Sequence, residues 1–261
     1  EWYVYQLKQA VNEEQDSYVL IEHCASVLKQ FGHLDDALHY YTKSLQMELT
    51  TLGENTEEVA ITYNNMGSVC QDQGKFTKAL EYHNKSLEIK KNILGENSEG
   101  VATSYNNIAN VYCDLDETEK GLEYYNKSLK IRLDVLGDNH PGVAACYNNL
   151  ATLYEDEGDV DKALDYYNKS LTIQFDTLGE THMDVSETYN NMAVLYTNDD
   201  QLDKALEYYQ KSLTIVMKIF GGGNPEVARE YNNMGVVYKK KGELDKALDM
   251  HHKALEIRLP A

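Results

Sequence analysis

Five Tyr-Asn-Asn triplets begin at Tyr63, Tyr105, Tyr147, Tyr189 and Tyr231, each 42 residues after the last. An amide side chain carries a donor and an acceptor together, so a regular row of them could clamp a peptide backbone without reading its side chains. The first Asn of each triplet is Asn64, Asn106, Asn148, Asn190 or Asn232. It lies about 100° round a helix from the preceding Tyr. On the same face one turn later stand Ser68, Asn110, Thr152, Val194 and Val236. These residues are predicted to line a binding groove. The plainer role for the same amides is to cap or bridge neighbouring helices. The second Asn, at Asn65, Asn107, Asn149, Asn191 and Asn233, leans toward the adjoining unit. There a structural amide, hydrogen-bonded between units, is the better expectation.

The end of the groove helix varies from unit to unit, and variation is where specificity can enter. It reads Lys29-Gln30, Gln71-Asp72, Cys113-Asp114, Glu155-Asp156, Thr197-Asn198 and Lys239-Lys240, with Arg229 on the same face of the last unit. Asp72, Asp114 and Asp156 make the middle acidic, and Arg229 and Lys239 make the C-terminal end basic. A ligand with basic residues at its centre and acidic ones toward the last unit would complement that pattern. Solvated helix-end charges of little consequence are the alternative.

Other reactive residue types form no constellation. The four cysteines, Cys24, Cys70, Cys113 and Cys146, share no place in the repeat and make no CxxC or Cys/His spacing, which points to reduced thiols in a cytoplasmic protein. His83, His251 and His252 lack partners at metal-ligand spacing. Asn84-Lys85-Ser86, Asn126-Lys127-Ser128 and Asn168-Lys169-Ser170 are glycosylation sequons in form only, because each Ser falls on the buried stripe of a helix. No phosphate loop, nucleophile elbow or converging carboxylate pair appears. The expectation is a protein without an active site and without a cofactor.

These residues are carried by repeated helices. Lys-Ser-Leu begins at Lys43, Lys85, Lys127, Lys169 and Lys211 on the same period, followed by Lys253-Ala254-Leu255. Within a unit, Tyr63, Met66, Gly67 and Cys70 mark one helical stripe, and Ala79, His83, Ser86 and Leu87 a second. Gly74 is placed to end the first helix; its counterparts are Gly32, Gly158 and Gly242, but Asp116 and Asp200 in two units, where looser turns are expected. Gly95, Gly137 and Gly179 close the second helix, and Asn139-His140-Pro141 and Gly223-Asn224-Pro225 look like helix starts. Fixed periods in this range mean an array whose units bury their apolar faces on one another. The units run 19–60, 61–102, 103–144, 145–186, 187–228 and 229–261. Residues 1–18 match the second helix of a preceding unit whose first half is missing, which suggests a piece of a longer protein. The net charge of −19 disfavours nucleic acid and anionic membrane as partners, and no apolar run is long enough to span a bilayer.

Tyr147, Leu150, Ala151, Tyr154, Gly158, Ala163, Tyr167 and Ser170 have the spacing of tetratricopeptide (TPR) repeats. With the Leu-Gly-(Glu/Asp)-Asn connection and the longer period, the chain resembles the repeats of kinesin light chains and nephrocystin-3-like proteins. The resemblance implies an all-α, right-handed superhelical solenoid of antiparallel helix pairs. It also implies a concave groove, lined by the first helix of each pair, that binds a peptide or helical segment of a partner protein. Two features depart from kinesin light chains: no heptad segment is present, and the groove is poor in Arg and Lys. An adaptor or scaffold is therefore the favoured function. The rivals are a regulatory arm of a larger signalling ATPase and head-to-tail self-association through uncapped ends.

Overall fold

The computed structural model describes residues 17–259. Among them are twelve α-helices and no strand, in two compact units whose described residues run 17–135 and 136–259, the boundary falling at the last residue of the sixth helix. The first unit holds α1 (Tyr18–Gln30), α2 (Leu34–Thr51), α3 (Glu57–Asp72), α4 (Phe76–Leu94), α5 (Glu99–Asp114) and α6 (Thr118–Leu136). The second holds α7 (Pro141–Asp156), α8 (Val160–Leu178), α9 (Met183–Asn198), α10 (Leu202–Phe220), α11 (Pro225–Lys240) and α12 (Leu244–Arg258). The helix expected over residues 1–18 lies almost wholly outside the described residues, as does Pro260. Tyr18 already belongs to α1, one residue before the expected boundary at 19.

Odd-numbered helices are the first of each pair and even-numbered ones the second. Each pair packs as a hairpin, α5 on α6 through Tyr105, Tyr112 and Tyr124 and the Tyr125–Asn110 bond, and within a unit each hairpin packs on the next. The Lys-Ser-Leu motif explains much of this. Ser86 is fully buried and donates to the carbonyl of Ala60 at 2.7 Å; Ser44 donates to Tyr18 at 3.0 Å and Ser170 to Ala144 at 2.9 Å. A buried hydroxyl without a partner would be costly, so this bond to the facing helix is what makes Ser tolerable there. The same burial takes the Ser of each sequon, Ser86, Ser128 and Ser170, out of solvent, while the Asn of each stays exposed. The following Leu87, Leu171 and Leu213 are core residues. The preceding Lys is spread over a tyrosine pair: Lys85 Nζ lies 5.5 Å from the Tyr63 ring centre and 5.6 Å from that of Tyr82, while Glu81 holds it at 2.7 Å. Lys211 repeats this over Tyr189 and Tyr208. Many of the tyrosines are thus packing residues whose faces also take a cation.

The turns within hairpins show why Gly and Asp alternate at one place. Gly74 has φ +70° and its N–H donates to Gln71 O at 2.8 Å, with Lys75 N–H to Cys70 O at 2.8 Å. Asp116, at φ +58°, closes the same pair of bonds at 2.9 Å each. The looser turn expected there is absent; Asp adopts the left-handed conformation at some cost and the turn stays tight. At Asp200 one bond does lengthen, to 3.4 Å. The expected proline starts hold: His140 Nδ1 accepts the Gly142 N–H at 3.0 Å ahead of Pro141, and Asn224 Oδ1 accepts the Glu226 N–H at 2.8 Å ahead of Pro225.

Candidate functional site

The first helices place the two Asn columns side by side, and the structure shows how many of those amides are already engaged. In the first unit, Asn64 Oδ1 accepts from Asn107 Nδ2 at 2.7 Å, one repeat on, and from the His83 Nδ1–H at 3.2 Å. Asn65 Nδ2 donates to Glu22 Oε1 at 3.2 Å, one repeat back. In the second unit, Asn148 Nδ2 donates to Thr188 Oγ1 at 2.9 Å, and Asn190 Nδ2 reaches both Glu230 oxygens at 2.9 Å. Asn232 Oδ1 faces His251 Nδ1 at 3.1 Å. Asn106, half-buried on α5, is not free either. Asn64, Asn148, Asn190 and Asn232 thus each bond a side chain of a neighbouring helix, as the plainer of the two expected roles would have it. The second Asn bridges too, at Asn65 and Asn107, as a half-buried rather than a buried amide.

The residues one turn later are also tied down. Lys29 Nζ donates to Ser68 Oγ at 2.8 Å, the Tyr125 hydroxyl to Asn110 Oδ1 at 2.6 Å, and the Tyr167 hydroxyl lies 3.2 Å from Thr152 Oγ1 and donates to Glu155 Oε2 at 3.2 Å. Burial raises the Glu155 pKa above the ordinary carboxylate range. Val194 and Val236 are exposed, 36% and 55%, on that face.

Helix-end charges link neighbouring repeats. Lys29 lies 3.4 Å from Asp72, Gln71 Nε2 donates to Asp114 at 2.6 Å, Asn198 donates to Glu155 at 3.1 Å, and Lys240 donates to Thr197 O at 2.6 Å. Asp156 is engaged as well. Arg229 is held by Glu226 at 2.7 Å and Glu230 at 3.4 Å, so Lys239 is the more available cation at the basic end.

A buried polar row at the end of the second helices was missed in the sequence. Glu48, Lys90, Arg132 and Gln174 recur on the 42-residue period and are all buried. Facing them are Thr62, whose hydroxyl donates to Glu48 at 2.9 Å, Ser104, which accepts from Lys90 at 3.2 Å, and Thr188, 3.0 Å from Gln174. Charged residues near a helix end read as a solvated face. The period, and the Val216 that takes the same place in the fifth repeat, were the available signals.

The family model of the tetratricopeptide repeat matches residues 20–92, 58–116, 100–174 and 184–259, which together span most of the chain. The chain belongs to the tetratricopeptide repeat family. Solved TPR-type structures resemble it in fold. BtubC (BKLC) of P. vanneervenii is 24% identical with a TM-score of 0.74, covering 86% of this chain and 91% of that one. Nearly identical TPR-like repeats assigned to a kinesin light chain of Podosopora anserina are 19% identical with a TM-score of 0.64, covering 78% and 96%. The apo form of RapI is 15% identical with a TM-score of 0.64, covering 92% and 97%. No curated protein matches the chain. No helix among the described residues is long and apolar enough to cross a membrane, and none of their His, Cys, Asp and Glu side chains group in threes that could hold a metal ion. TPR repeats are as a rule non-catalytic scaffolds that bind protein or peptide partners, and no catalytic family is indicated here.

Proposed function

We propose that the first-helix faces of this TPR protein bind an extended or helical segment of a partner protein, making the chain a non-enzymatic adaptor or scaffold. Kinesin light chain-like cargo binding is one form this would take. The supporting observation is the exposure of Val194 and Val236. Their neighbours Ala193 and Gly235 complete the packing between helices, so the two valines are left over as an apolar strip beside polar groups. An apolar contact flanked by amide and carboxylate groups suits a peptide better than a small metabolite. Capture from a peptide array tests the reading, with native chain compared to Thr152→Arg/Val194→Glu/Val236→Glu. These exposed substitutions leave the Asn bridges intact, and circular dichroism checks the fold. Tenfold or greater loss of captured peptides is expected; unchanged capture by the folded variant would place the partner surface elsewhere.

A second reading, self-association, is favoured by α12. Leu244, Leu248 and Leu255 of that helix are 66%, 60% and 51% exposed.

A further inference from the structure

The end of α2, the α2–α3 connection and one side of α4 line a groove of about 580 Å³ in the first unit. None of its lining residues belongs to the first-helix face. The floor is apolar: Ile89 is buried, and Leu49 and the Tyr63 ring are half-buried. The rim is polar and exposed, built from Glu54 and Asn55 of the connection and Asn92 of α4.

The rim offers acceptors and no free cation. Lys85, the one ammonium that lines the groove, is held by Glu81 at 2.7 Å. Glu54 has no ion pair among the described residues, and the side-chain amides of Asn55 and Asn92 make no hydrogen bond with them.

Two counterparts of this groove carry a lysine of the chain itself. One repeat on, Lys91 stands in the place of Leu49, and its Nζ lies 5.8 Å from the ring centre of Tyr105, the counterpart of Tyr63. Tyr105 thus takes a second cation besides Lys127, whereas Tyr63 takes Lys85 alone. In the second unit a groove of about 440 Å³ has Phe175, Tyr189 and Ile215 in the places of Leu49, Tyr63 and Ile89. There Lys218 replaces Asn92 and donates to Thr181, the counterpart of Asn55, at 3.1 Å. The first groove keeps the apolar floor and the rim acceptors but has no lysine at either place.

We infer that this groove is a docking surface separate from the first-helix face, taking a Lys or Arg side chain on a basic segment of a partner protein. The stem lies along Leu49, Tyr63 and Ile89, as long cationic side chains do on apolar surface, and the head meets Glu54 and the amide oxygens of Asn55 and Asn92. Charge selects the occupant. A chain of net charge −19 attracts a basic segment, and a second copy of it brings the wrong sign.

The test follows the side-chain amide resonances of the ¹⁵N-labelled chain during titration with the peptide Ac-Gly-Leu-Lys-Leu-Gly-NH₂ and its norleucine and glutamate counterparts. The Asn55 and Asn92 amides are expected to shift saturably with the lysine peptide, about fivefold more weakly with norleucine, and not with glutamate. Glu54→Lys should weaken the lysine response about tenfold. Asn92→Lys, which installs the lysine that the second unit carries, should abolish it at Asn55. Both positions are exposed, and circular dichroism checks the fold. No response, an equal response to glutamate, or a response unchanged in both folded variants overturns the assignment. Shifts of Asn55 and Asn92 that grow with protein concentration alone make a second copy the occupant and overturn it too. Thr152→Arg/Val194→Glu/Val236→Glu should leave the Asn55 response unchanged. Its loss there would tie the response to the first-helix face and overturn a separate surface. A lysine peptide that moves the Asn64 amide and not Asn55 or Asn92 overturns this surface while leaving the first-helix reading intact.

Discussion

A Cβ built on Gly67 would stand 2.7 Å from Cε1 of His83, and one on Gly235 would stand 2.7 Å from Cε1 of His251. The other repeats carry Ala25, Ala109, Ala151 and Ala193 at the Gly place and Tyr41, Tyr125, Tyr167 and Tyr209 at the His place. In the His repeats the imidazole occupies the room an alanine methyl would need, and its Nδ1 turns to Asn64 or Asn232. In the Tyr repeats the phenol instead bonds at the groove face, as Tyr125 does to Asn110 and Tyr167 to Glu155. Gly67→Ala alone is expected to destabilise the protein by about 1–3 kcal/mol through overpacking. Adding His83→Tyr, which recreates the pairing of the neighbouring repeat, should recover most of the loss. A double-mutant cycle in urea measures the coupling, and additive effects would show that the two sites do not share space.

Acid should weaken the protein through the same imidazole. Burial, then the charges of Lys90 and Lys29, push the His83 pKa down from 6.5 to about 4. The neutral form is the folded form, so the unfolded chain binds the proton more readily. The stability held by the neutral ring is complete above pH 6.5 and drains away as pH falls toward 4, by roughly 3 kcal/mol across that window. His83→Tyr with Gly67→Ala should flatten this part of the stability profile, measured by denaturant unfolding at half-unit pH steps. A profile as steep as the native one would assign the acid sensitivity to other groups.

Asp116 sits at φ +58° in a turn that Gly74 makes at φ +70°. Asp116→Gly removes the cost of a Cβ in the left-handed region, offset in part by the freer unfolded chain. The expected gain is up to about 1 kcal/mol. Gly74→Asp should lose a similar amount, and thermal melts of the two variants should move in opposite directions.

The uncovered leucines of α12 predict association. Sedimentation at rising concentration should show dimers or larger species of the native chain, and Leu248→Lys/Leu255→Glu should sediment as a monomer with unchanged helicity. A native chain that stays monomeric throughout would remove self-association as a property of this face.

Much of this protein follows from its sequence by itself. The 42-residue period, the two apolar stripes, the Gly and Pro punctuation and the TPR spacing establish paired helices. Each is a local pattern that a helix converts directly into a buried face. The Ser of Lys-Ser-Leu was rightly placed on the buried side for the same reason. What each polar group does was decided only by tertiary structure. Asn148 and Thr188, Asn190 and Glu230, and Asn64 and Asn107 are 40 to 43 residues apart. Helical periodicity locates these side chains on a face but not the atoms they meet across it. The amides that a sequence offers to a ligand are therefore shared out first among neighbouring repeats, because a half-buried donor or acceptor takes the nearest partner. What that sharing leaves exposed on this face includes Val194 and Val236.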